Sequence, residues 1–139
     1  MGEYRRMART EFIEHQGRRI VFMNLAGLES TGEALLAIEE ARKFVAAQPR
    51  RRELLVLTDV TGSIQDAPAV EAMKALAAHD KPWVLAGAVV GVSAMKRMAM
   101  KMVLLFSGRK VGVFATQQQA KDWLVQQWVP PLNVPDAAA

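Results

Sequence analysis

Leu54-Leu55-Val56-Leu57-Thr58-Asp59-Val60-Thr61-Gly62-Ser63 and Trp83-Val84-Leu85-Ala86-Gly87-Ala88-Val89-Val90 decide the fold. Each opens on an unbroken apolar run, the mark of a strand covered on both faces; a strand with one wet face would alternate. The first run stops in a polar loop that begins at Thr58. Between the two, the spacing predicts a helix. Asp66 is its N-cap, Pro68 is tolerated in its first turn, and His79-Asp80-Lys81-Pro82 stops it. Val70, Met73, Leu76 and Ala77 form its expected inward stripe. Strand, helix and strand, with both strands covered twice, make a parallel unit.

The same grammar extends in both directions. Upstream, Arg9 to Glu14 alternates around Phe12, Gln16-Gly17 supplies a turn, and Ile20 to Leu25 is apolar on both faces, which reads as a hairpin. Ser30 and Glu33 stand at capping-box spacing and open a helix to about Ala47. Its expected stripe is Leu35, Ile38, Ala41 and Val45, with Glu39, Glu40 and Lys43 on the outer face. The Arg50-Arg51-Arg52 triplet after it reads as a solvated loop. Downstream, Ser93 caps a helix with the stripe Met95, Met98, Ala99, Met102, Val103 and Phe106, closed by Ser107-Gly108. Val111 to Phe114 is a last short strand. Thr116 and Gln119 form a second capping box before a helix carrying Ala120, Trp123, Leu124 and Gln127. The predicted order is ββαβαβαβα: an α/β domain over residues 1–128, with a five-stranded, mostly parallel sheet and one antiparallel strand. Residues 129–139 form a Pro/Ala-rich tail.

Composition narrows the function classes. The 139 residues are 51% hydrophobic and 23% charged, a globular balance, and about two-thirds of the unfolded surface can be buried at this length. There is no cysteine, which removes disulfides, zinc thiolates and cysteine nucleophiles together. No apolar run nears the roughly 18 residues of a membrane span, and Met1 to Arg6 leads into charge, so a cytoplasmic protein is expected. Eighteen Lys/Arg against fourteen Asp/Glu leave +4, and no acid falls between Asp80 and Asp122. That asymmetry suits an acidic protein partner. No nucleic acid partner is expected, because no aromatic residue interleaves with the basic ones on a reading element.

Motifs for chemistry are missing from the string. His15 and His79 sit in different elements without HxxH or HExxH spacing, so no metal is expected. Ala26-Gly27-Leu28-Glu29-Ser30-Thr31 lacks GxGxxG, and no GxxxxGK[ST] occurs, so no nucleotide cofactor is expected. In Gly91-Val92-Ser93-Ala94-Met95, Met95 replaces the second glycine of a nucleophile elbow, and Ser93 reads as a cap. The expectation is a protein that is not an enzyme.

The order of elements, with Leu57-Thr58-Asp59-Val60-Thr61-Gly62, Lys81-Pro82-Trp83, Ala88-Val89-Val90-Gly91-Val92 and Ala120-Lys121-Asp122-Trp123-Leu124, resembles the STAS/anti-sigma-factor-antagonist group. The similarity is to its SpoIIAA-like bacterial proteins and covers about residues 9 to 128. It implies a regulatory α/β domain that docks other proteins and performs no chemistry. In such antagonists a phosphorylated serine follows an aspartate at a helix start. Asp66 is similar in place, but Ala67 follows it, so the usual phosphoacceptor is missing. The resemblance also reaches lipid-transfer domains of the CRAL-TRIO type, although this chain lacks their extra helical gate.

Two sets of candidate residues follow. One is the loop and anion or partner site of Asp59, Thr61, Gly62, Ser63, Asp66 and Ser93, at a strand's C-terminal end and leading into helix N-termini. Its residues serve either a partner or the loop's own hydrogen bonds. The other is a face of the Ser93–Phe106 helix, with Met100 and Leu104 rimmed by Lys96, Arg97 and Lys101. It is either an interface for an acidic or amphipathic partner, including a second copy of the chain, or a second buried face. The leading expectation is a regulatory interaction module. The alternative is a domain of the same fold that binds a small molecule, an anion or a lipid.

Overall fold

Five strands, β1 (Thr10–His15), β2 (Arg18–Asn24), β3 (Leu54–Asp59), β4 (Val84–Val90) and β5 (Val111–Phe114), pair side by side in chain order. The computed structural model describes residues 8–93 and 110–128. β1 and β2 are antiparallel, joined by a tight turn with Gln16 at φ 52° and Gly17 at φ 79°, the two positive values a type I′ hairpin turn requires. The other three pairings are parallel. The helices are α1 (Thr31–Ala46), α2 (Ala67–Asp80) and α3 (Gln117–Gln127).

Chain-order parallel pairing decides which helix covers which face. β2 to β3 and β3 to β4 step sideways in one direction, so right-handed crossovers put α1 and α2 on the same face. There Val21, Met23 and Val56 pack with Ala37, Ala41, Val45 and Leu76. α3 follows the last strand and covers the other face. Its Ala120 and Leu124 meet Ile20, Leu55, Leu57, Ala86, Ala88 and Val90. β3 alternates between two buried layers, which is why its sequence shows no alternation.

Three polar clamps hold the periphery. The Glu40 carboxylate accepts from the Arg9 amide at 2.8 Å and the Thr10 amide at 3.1 Å, tying α1 to the start of β1. His15 Nε2 lies 2.7 Å from Asp122 Oδ1, tying the end of β1 to α3. The Trp83 indole donates to the Gln48 carbonyl at 3.0 Å and stacks on His79 with centroids 5.0 Å apart, closing the α2–β4 junction.

Several helical expectations need correction. Leu35 is 42% exposed and Val70 37%, and Ala77 is exposed as well; the buried apolar positions are Ala34, Ala37, Ile38, Ala41 and Val45 on α1 and Ala69 and Leu76 on α2. Ile38, Ala41, Val45 and Leu76 are buried as expected, and Met73 packs on the core. Alanines fill the rest of the buried faces and leave Leu35 and Val70 outside. Glu40 is not merely solvated, as the clamp shows. The first capping box is half formed. Ser30 Oγ accepts the Glu33 amide, while the Glu33 carboxylate reaches Glu29 N instead of Ser30 N. The Thr116–Gln119 box forms completely. β3 runs on through Thr58 and Asp59. The expected helix after Ser93, its face of Lys96, Arg97, Met100, Lys101 and Leu104, and the tail from residue 129 lie outside the described residues. No helix among the described residues is long and apolar enough to cross a membrane.

Leu124 is fully buried and fastens α3 to the sheet. Leu124→Ala should lower stability by about 2–5 kcal/mol, read from urea denaturation, because it deletes core contacts and leaves a cavity.

Candidate functional site

The C-terminal ends of β2, β3 and β4 meet at one edge of the sheet, where ligands of open α/β folds bind. Backbone bonds stitch their loops together. The Leu25 amide donates to the Asp59 carbonyl at 2.9 Å, and Gly27 N to Thr61 O at 2.9 Å. Ile64 N donates to Leu28 O at 2.8 Å, and Val60 N to Val90 O at 2.9 Å. Gly91, with φ 97°, makes the packing possible. A Cβ there would stand 2.5 Å from the Thr61 amide nitrogen, so any other residue forces the two loops apart.

Asp59 ends β3 and is only 8% exposed. Its Oδ1 accepts from the Thr61 amide at 2.9 Å and the Thr61 hydroxyl at 2.6 Å, and its Oδ2 accepts from the Gln117 side-chain amide at 2.6 Å. Burial pushes this carboxyl up, but the three donors together hold it below its ordinary value. Gln117 is the first residue of α3, so this carboxylate joins the loop after β3 to the helix on the sheet's other face.

Asp66 plays the matching part on the α1–α2 side. Its Oδ1 caps α2 through the Ala69 amide at 3.0 Å, and its Oδ2 accepts from the Thr31 hydroxyl at the start of α1. Those two donors, Thr31 first, hold its carboxyl low. Ser63 accepts the Leu28 amide at 2.9 Å and donates to the Leu25 carbonyl. Asp59, Thr61, Ser63 and Asp66 thus occupy one stitched edge, with Thr61 and Gly62 exposed at its tip. Ser93 is exposed beyond Gly91, and the helix it was expected to cap lies outside the described residues.

Thr31, Gln117 and Gly91 escaped the sequence reading. The available signal was positional: Thr31 and Gln117 each follow an N-cap, and helix starts gather at the strand ends they follow. Chemically, the edge is quiet. Its carboxylates already accept several donors, and among the described residues no group of three His, Cys, Asp or Glu could hold a metal ion.

A separate cavity of about 430 Å³ lies between α2 and the β4–β5 side of the sheet. Met23, Val56, Met73 and Val111 contribute apolar wall, and Asp80, Lys81 and Lys110 contribute polar lining. Asp80 is 5% exposed. Burial raises its carboxyl above the ordinary range despite the His79 Nδ1 contact at 2.7 Å.

No protein-family model matches the sequence, and no curated protein matches it. Among solved structures the fold is similar to an uncharacterized protein of the DUF3478 family from Shewanella loihica PV-4, described as having a SpoIIAA-like fold. The TM-score is 0.62 over 83% of this chain and 91% of that one, at 18% identity. The chain therefore has a SpoIIAA-like α/β fold, as the resemblance implied.

Asp59 gives this edge a pH signature. Its folded-state pKa lies below the unfolded one, so its stabilisation is present above about pH 4 and is lost as the pH falls through the folded value. Asp59→Asn should lower stability by about 1–3 kcal/mol at neutral pH. The gap from the unmodified protein should close during urea titrations stepped down into the acid range.

Proposed function

We propose that this chain is a regulatory, non-enzymatic interaction module that docks a protein partner through the edge built from loops 25–33 and 59–66. The observation that carries this reading is the use of Asp59, Ser63 and Asp66 as internal fasteners. Their acceptors hold two loops and three helix starts in one arrangement. The exposed tip, Glu29, Thr61, Gly62 and Gln65, is thereby a preorganised contact surface. Preorganisation of this kind reduces the ordering entropy lost on docking. Ala67, the first residue of α2, has no hydroxyl to phosphorylate, so partner concentration sets occupancy in place of a kinase at that position.

Glu29→Arg with Gln65→Arg tests the edge. Both positions are exposed, so stability should change by no more than about 0.5 kcal/mol. Partners crosslinked in cells through a photoreactive residue at position 65, and identified by mass spectrometry, should be lost from the double variant. Lys74→Gln on α2 should retain them. An unchanged set in the double variant would remove the edge as the docking surface.

The cavity beside α2 favours a second reading, a small-amphiphile binder of the same fold. Its volume falls in the range of about 300–1,000 Å³ usual for ligand sites, and Lys81 and Lys110 suit an anionic head. Long-chain carboxylates would then raise the melting temperature in a saturable way, since they bind only the native state. A flat response across the series counts against it.

A further inference from the structure

The opposite end of the sheet gathers charges that are far apart in the sequence. The start of β2 and the loop before β3 bring Arg18, Arg19 and Arg51 around one cleft of about 320 Å³. Phe12, Leu54 and Trp128 supply apolar wall between them. Arg18 lies over the Trp128 ring with its guanidinium carbon 3.6 Å from the centroid, and Arg19 lies over Phe12 at 4.1 Å. Arg50, next to Arg51, lies over Trp83 at 5.3 Å.

Stacking fixes a guanidinium plane and leaves its N–H edges to meet an anion. Carboxylates on the chain itself do little to neutralise this group. Among the described residues, Arg18, Arg19, Arg50 and Arg52 have no ion-pair partner. Arg51 has only Glu53 at 3.5 Å, with both side chains more than half exposed. Glu14 is the cross-strand partner of Arg19 in register, without closing to an ion pair. Glu53 lines the cleft beside three arginines, so among the described residues the group keeps a net positive charge that attracts anions. Each guanidinium fits a planar oxyanion two N–H groups at a time.

We infer that this cleft docks an acidic–apolar segment of another protein. One carboxylate sits between Arg19 and Arg51, and a neighbouring apolar side chain rests against Leu54. The cleft is the size of a side chain or two, which suits a peptide. Single-stranded nucleic acid fits less well, because its sites combine a basic groove with aromatic faces open to stacked bases, and here guanidiniums lie over the Trp128 and Phe12 rings. The site is separate from the strand-end edge and stands without it.

The test uses the full chain and fluorescence anisotropy with three labelled probes: a short peptide alternating Glu with Leu and Phe, the same peptide with Gln for Glu, and an oligothymidylate of similar charge. The acidic peptide should bind, and added salt should weaken it. The Gln peptide should bind at least about tenfold more weakly. Arg19→Gln with Arg51→Gln, both exposed positions, should lose about tenfold or more for the acidic peptide at an unchanged melting temperature. Arg51→Glu alone, in the exposed loop, provides the same reading should the pair disturb the hairpin. Glu29→Arg with Gln65→Arg should leave this binding intact. Equal binding of the Gln peptide, full binding by the arginine variants, a preference for the oligothymidylate, or no binding of the acidic peptide would each overturn the inference.

Discussion

Leu55 and Leu57 point from β3 into one layer, and Val56 points into the other, so one strand needs helices on both of its faces. Each such side chain contributes about 1.5–3 kcal/mol when fully buried, and leaving either face uncovered forfeits that for the strand and its neighbours. Parallel pairing in chain order meets the demand on one side through two crossover helices. The other side falls to α3, which has only eleven residues and presents Ala120 and Leu124 as fully buried contacts. Its hold on the sheet is supplemented at its start and its middle by polar ties, Gln117 to Asp59 and Asp122 to His15.

The same double burial explains the character of the strand-end edge. A carboxylate at the end of a covered strand must be hydrogen-bonded or it destabilises the fold. Asp59 meets that requirement with Thr61 and Gln117, and in doing so fixes the loop. Asp66 repeats the device between two helix starts, where the dipoles favour negative charge. An edge whose polar groups are committed to holding its own shape is suited to presenting a surface. The cavity beside α2 differs in kind: its wall is mostly apolar, and its buried acid is destabilised in the charged form.

The two ends of the sheet therefore differ electrostatically. At the strand C-termini, aspartates lie among amide and hydroxyl donors. At the other end, the start of β2 and the loop before β3 present guanidiniums on aromatic rings. The arginine triplet alone reads as a solvated loop, and each of its members is indeed exposed. Its meaning changes once Arg19 and Arg51 line one cleft, where converging positive charge favours an anion.

Local rules made the order of the described elements, the parallel sheet and the caps at Asp66 and Thr116 readable from the string, because run length, period and cap chemistry act over a few residues. The candidate loop was readable for the same reason, as a polar stretch at the end of a buried strand. Tertiary structure alone decided which helix face lies inward. Alanine carries almost no hydropathy signal, yet Ala34, Ala37, Ala41 and Ala69 are buried while Leu35 and Val70 are exposed. It also decided the pairs Thr31–Asp66, Gln117–Asp59 and Glu40–Arg9, and the gathering of Arg18, Arg19 and Arg51. Those contacts depend on strand order and register, which are settled by the packing of the whole sheet, and no spacing along the chain encodes them.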